Sequence, residues 1–71
     1  MNIDLRKAII KNVKDNSVDE LEATIVDAIE NGEEKLLPGL GVLFELIWNE
    51  ADENKRADLV LTLEKGLQRS H

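Results

Sequence analysis

Apolar side chains recur along this chain at the three- and four-residue intervals of a helix. β-Branched residues never alternate with polar ones over a useful length, so strands are not expected. Leu5, Ala8, Ile9 and Val13 share one helix face, widened by Ile10, and predict a first helix over about Ile3–Val13. Asn2 suits its cap and Asp4 its positive end, and Lys11 and Lys14 suit the negative end. Ser17-Val18-Asp19-Glu20 has the pattern of a capping box, a hydroxyl followed three residues later by a glutamate. The stripe Val18, Leu21, Ile25, Ala28 and Ile29 continues from it, with Val26 beside it, and Asn31-Gly32 supplies a left-handed stop.

Glu33–Leu37 has room for one short turn. Leu37 precedes Pro38, which favours extended backbone at Leu37, and Pro38 itself suits the first turn of a third helix running to about Asn49. The segment Leu36–Trp48 (LLPGLGVLFELIW) holds a single charge, Glu45. Its side chains point all around the helix, and a helix apolar on every side belongs at the centre of a fold or in an interface. A fourth helix is predicted from about Asn54 to Gln68, capped by Asp52 or Asn54. Leu59, Val60, Leu63 and Leu67 form its face, Ala57 and Leu61 flank it, and Gly66 weakens its last turn by roughly 1 kcal/mol relative to alanine.

The predicted fold is all-α: one small helical domain over 1–71, built as a compact bundle of four short helices with Leu40–Trp48 at its centre. The expected core is Leu5, Ile9, Val13, Leu21, Ile25, Ile29, Leu37, Leu40, Leu43, Phe44, Ile47, Trp48, Leu59, Leu63 and Leu67.

Composition narrows the function classes. Apolar residues are 42% of the chain and charged residues 34%, which supports a core and argues against disorder. A chain this small buries a modest share of its surface and has no cysteine to staple it. Thiol chemistry and thiolate zinc sites are thereby excluded, and a reducing compartment fits. Asp4, Arg6 and Lys7 interrupt any secretory leader at the start, and the longest apolar run is too short to span a bilayer, so a soluble intracellular protein is expected.

The net charge of −6 is unevenly distributed. Residues 1–14 carry +3, residues 15–34 carry −8 without one base, and residues 35–71 carry −1. The expectation is that the basic first helix packs beside the acidic block and each offsets the other; the competing role is a basic arm for an anionic partner. An acidic domain of this kind is a poor nucleic-acid ligand, because phosphate contacts need Lys and Arg.

Catalytic chemistry finds little support. The one histidine, His71, is terminal, and no base is placed to activate Ser17, which reads as a cap. Asp15-Asn16-Ser17-Val18-Asp19 begins like a calcium loop, but Glu20 stands where glycine is needed and Val26 where a bidentate glutamate belongs. Asp52-Glu53-Asn54 fails in the same way, at Ala57 and Leu63. Gly39-Leu40-Gly41 lacks the third glycine of a dinucleotide fingerprint and the Lys-Ser/Thr of a phosphate loop. Close passage of the turn beside another helix is the expected use of these glycines. Phe44 and Trp48, one turn apart, are expected to fill a core, with an aromatic anchor for a partner as the other role. No cofactor, metal or small-molecule substrate is expected.

The wording of the chain adds a family. Thr24-Ile25-Val26-Asp27-Ala28-Ile29, Gly32-Glu33-Glu34-Lys35, the run Leu37-Pro38-Gly39-Leu40-Gly41-Val42-Leu43-Phe44-Glu45, and Ile47-Trp48 resemble the small acid-soluble spore protein I family of Bacillus-type endospore formers. Leu5-Arg6 with Ala8 and Ile10, and Leu61-Thr62-Leu63-Glu64 with Gly66-Leu67, extend the resemblance towards both ends. It implies a minor, non-enzymatic protein of the forespore cytoplasm and spore core. It brings no functional residues, and the chain lacks the sequence pattern of the major DNA-coating spore proteins that share the family's label.

Two roles follow as expectations. The first is a structural or binding protein that presents an apolar patch from Leu36–Trp48 to itself, as a homo-oligomer, or to another spore protein. Its candidate contacts are Leu36, Leu37, Leu40, Phe44 and Trp48, with Glu33 and Glu34 beside them. The second is an acidic adaptor that masks a basic surface through Asp19, Glu20, Asp27, Glu30, Glu33 and Glu34. Neither role involves nucleic acid or membrane.

Overall fold

Four α-helices and one 3-10 turn follow one another in a computed structural model that describes residues 3–70: α1 (Ile3–Val13), α2 (Val18–Asn31), the turn Glu34–Leu36, α3 (Leu37–Glu50) and α4 (Glu53–Arg69). The described residues contain no strand, and the fold is all-α as the periodicity predicts. The expected Asn2 cap, the Asp4 side chain and His71 lie outside what is described.

Local chemistry sets the helix ends. Ser17 Oγ accepts the Glu20 N–H at 3.2 Å and Glu20 Oε1 accepts the Ser17 N–H at 2.8 Å, which closes the capping box. Gly32 ends α2 at φ 65°, a left-handed conformation natural to glycine. Asp52, rather than Asn54, caps α4 by accepting the Lys55 N–H at 2.8 Å.

Leu37 departs from expectation: it is helical, at φ −60° and ψ −42°, despite preceding Pro38. Its N–H donates to the Glu34 carbonyl, so the 3-10 turn runs directly into α3, and this bond offsets the pre-proline crowding. The glycines of α3 also differ from the reading. A methyl group on Gly39 would lie 3.9 Å from Ile9 Cδ1, an ordinary contact, and one on Gly41 would meet nothing within 4 Å. Neither glycine is required by close helix approach.

α3 is the hub, with α1 and α2 packed against it. α4 turns back at Ala51-Asp52 and meets α3 through its N-terminal half, while every residue from Val60 to Ser70 is exposed. The result is open. The radius of gyration is 13.2 Å, against about 11 Å for a compact chain of this length.

Only Val42 is buried among the described residues. Val42 was absent from the expected core, because an all-round apolar helix gives no face by which to choose. Ile9, Val13, Leu21, Ile25, Leu40, Leu43, Trp48 and Leu59 are partly covered. Leu5, Ile29, Leu37, Phe44, Ile47, Leu63 and Leu67, expected inside, are exposed. Their stripes are real, but the neighbouring elements do not close over them.

The two charge blocks do sit on neighbouring helices, whose residues line shared clefts, but no close ion pair among the described residues joins them. Among the described residues no lysine of α1 forms an ion pair with α2. The pair that links helices is Arg6–Glu45, from α1 to α3.

Candidate protein-contact surface

An uncovered apolar surface lies along α3 and α4. Phe44 and Trp48 are one turn apart on α3, so their rings lie on the same side, 6.1 Å between centroids and tilted by 35°. Across from them α4 presents Leu59, Val60 and Leu63 at helical spacing, and the two walls enclose an open groove of about 400 Å³. Arg56 ties α4 to Trp48 on α3. Its Nε donates to the Trp48 carbonyl at 2.9 Å, and its guanidinium lies 5.3 Å from the centre of the Trp48 ring. A cation over an indole face and a hydrogen bond to the same residue fix both the ring and the angle between the helices.

Beyond the groove the apolar strip continues down α4. Leu63 is 58% exposed and Leu67 63%, values that belong to an unpartnered helix face. On the other side of α3, Leu46 and Ile47 are exposed beside Ile10, Val13 and Leu21.

The candidate contacts named from the sequence divide into three groups. Phe44 and Trp48 form the groove wall. Leu36 and Leu40 turn the other way, towards Ile9, Val13 and Ala28, and are half-buried between α1, α2 and α3. Leu37 stands exposed at the start of α3, next to the turn that carries the exposed Glu33 and Glu34. Glu33 has Lys35 Nζ at 3.6 Å. Val60, Leu63 and Leu67 belong with Phe44 and Trp48, although their stripe reads as core in the sequence. An amphipathic stripe states that a face will be covered and does not state by which chain.

The place of Glu45 also emerges only in three dimensions. Its two carboxylate oxygens accept Arg6 Nε and Nη2, each at 2.8 Å. Hydrogen bonding from Arg6, assisted by the guanidinium charge, holds the Glu45 carboxyl below the usual carboxylate range, against the opposing effect of desolvation. The one charge within the apolar run Leu36–Trp48 is therefore a docking point for α1.

The described residues contain no group of three or more His, Cys, Asp or Glu able to hold a metal ion. No helix among them is long and apolar enough to cross a membrane. What the surface offers chemically is contact area: aromatic and aliphatic side chains with few polar groups among them.

Comparison with known proteins gives the family. No solved structure matches the chain. The sequence profile described as "Small, acid-soluble spore protein I" matches residues 3–67. A protein of that name from Bacillus cytotoxicus is 60% identical over 68 residues, covering 96% of this chain and 97% of its own length. Another of the same name, from Bacillus cereus, is 58% identical over 69 residues, covering 97% of this chain and all of its own length. The profile match and these near full-length identities show that the chain belongs to the small, acid-soluble spore protein I family.

Proposed function

We propose that the protein is a non-enzymatic constituent of the spore core, formed in the forespore cytoplasm, that works by presenting its α3–α4 apolar surface to protein. One observation carries the reading: an 8.0 kDa chain with 42% apolar residues leaves Phe44, Val60, Leu63 and Leu67 about half exposed or more. Exposed apolar patches of this kind mark interaction surfaces. Phe44 and Trp48 give such a contact its aromatic content.

Quenching of Trp48 fluorescence by a neutral quencher tests this. The free chain at high dilution is expected to be quenched readily, and quenching is expected to fall when the protein is concentrated or mixed with spore-core extract. A Trp48 equally shielded under all conditions would mean that the chain covers its own surface, and the reading would be lost.

The acidic-adaptor alternative keeps one specific observation. Asp19, Asp27, Glu30 and Glu34 are exposed and enter no ion pair among the described residues. It requires capture of a basic partner that weakens with added salt and with charge reversal at Glu33 and Glu34. Capture indifferent to both would discard it.

A further inference from the structure

Resting on that reading, we propose that the partner of the α3–α4 surface is a second copy of this chain, docked about a two-fold axis at Leu63 with the two α4 helices antiparallel.

The first argument is area. The chain exposes 6175 Å². A folded monomer of this mass exposes about 4,450 Å² by the surface scaling of globular proteins, so the excess is about 1,700 Å² per chain. A standard interface takes about 800 Å² from each partner, and obligate homodimers take more. That excess, counted over the whole chain, is ample for a helical dimer.

The second argument is charge. Two copies of a chain at −6 repel each other unless they meet where the charge is low. α2 carries five acids and no base, so its outer face disfavours self-association. α4 carries Glu53, Asp58 and Glu64 against Lys55, Arg56, Lys65 and Arg69, close to balance and mixed along its length. The helix with the open apolar face is also the helix that tolerates a copy of itself.

The third argument is shape. Val60, Leu63 and Leu67 follow the 3-4 spacing of a two-helix seam. Gly66 lies on the flank of this seam, and a side chain there would meet nothing in its own chain. In the last turn of an exposed helix glycine still costs helicity, and no neighbouring side chain of the protomer requires it. With Leu63 on the axis, Val60 stands level with the partner's Gly66, a branched side chain opposite an absent one. Leu59 stands level with the partner's Leu67, which places that leucine at the groove walled by Phe44 and Trp48. The contact is isologous, so each groove receives the same side chain and the assembly closes at two.

The chain contains no cysteine, which allows a direct test. Sedimentation across the micromolar range should show a dimer for the natural chain. Leu67→Glu should weaken dimerisation at least a hundredfold, since the contact is lost twice, while helicity at high dilution is unchanged because Leu67 is exposed in the protomer. Gly66→Leu should weaken it too, although leucine favours helix. Mild oxidation of Leu63→Cys should give a covalent dimer, and Asp58→Cys, on the outer side of α4, should not. A natural chain that is monomeric throughout would overturn the proposal and leave the broader contact reading to be judged by Trp48 shielding in spore-core extract. A dimer that persists in Leu67→Glu, or that cross-links through Asp58→Cys in preference to Leu63→Cys, would overturn the α4 face.

Discussion

Arg6 and Glu45 show how a single pair acts in so open a molecule. Both side chains are substantially exposed, so screening by water and salt keeps the pair weak, and its value lies in placing α1 on α3. Glu45 binds its proton less readily in the folded chain than in the unfolded one. Its contribution is therefore complete above the carboxylate range and disappears as pH falls through the lowered value. Acidification should lower the melting temperature of the natural chain more than that of Glu45→Gln. Parallel losses in both proteins would show that the pair contributes nothing. Arg56→Ala removes the cation over Trp48 and the bond to its carbonyl. A loss of about 1–2 kcal/mol is expected, with a shift in Trp48 emission as the ring is freed. An unchanged spectrum would exclude a role for Arg56 in fixing the ring. The bidentate Arg6–Glu45 pair was not legible beforehand, because residues 39 apart meet only once the helices have packed.

Individual helices were read more fully than their partners. The capping box of α2, its Gly32 stop and the Asp52 cap of α4 depend on neighbours within three or four positions. Ser17→Ala should lower stability by about 1 kcal/mol, measured by chemical denaturation. Gly32→Ala should lower it by a similar amount, since alanine resists φ 65°. Gly66→Ala is expected to act in the opposite direction on the dilute protomer and raise the helicity of α4, a gain of about 1 kcal/mol visible by circular dichroism. A fall in helicity there would mean that Gly66 meets something inside the protomer. Leu37 shows where local rules fail: a backbone bond to Glu34 overrides the preference set by proline.

At the scale of the whole molecule the consequence is an unfilled interior. Val42 alone is buried among the described residues, so the chain has little core of its own to lose. Val42→Ala should still cost about 1–2 kcal/mol, and the dilute protein should unfold with weak cooperativity. Small-angle scattering at high dilution should return a radius of gyration near 13.2 Å. A value near 11 Å would mean that α4 folds back over α3, which closes the groove and removes the surface on which the proposed function depends. The expected bundle was correct in helix number and order, and in α3 as the hub of α1 and α2. It failed for α4, whose apolar face was assigned to a core that the chain does not build.

Periodicity, caps and turn residues act over a few positions, so the sequence alone determined the four helices, their ends, and the identity of α3 as the helix needing cover. The wording of Leu37–Glu45 carried the family as well. Which face of each helix is covered depends on how four short rods share too little surface to satisfy every stripe. That competition is settled only in three dimensions, where α1 and α2 take one side of α3, Arg6 reaches Glu45, and the apolar faces of Phe44, Leu63 and Leu67 remain open.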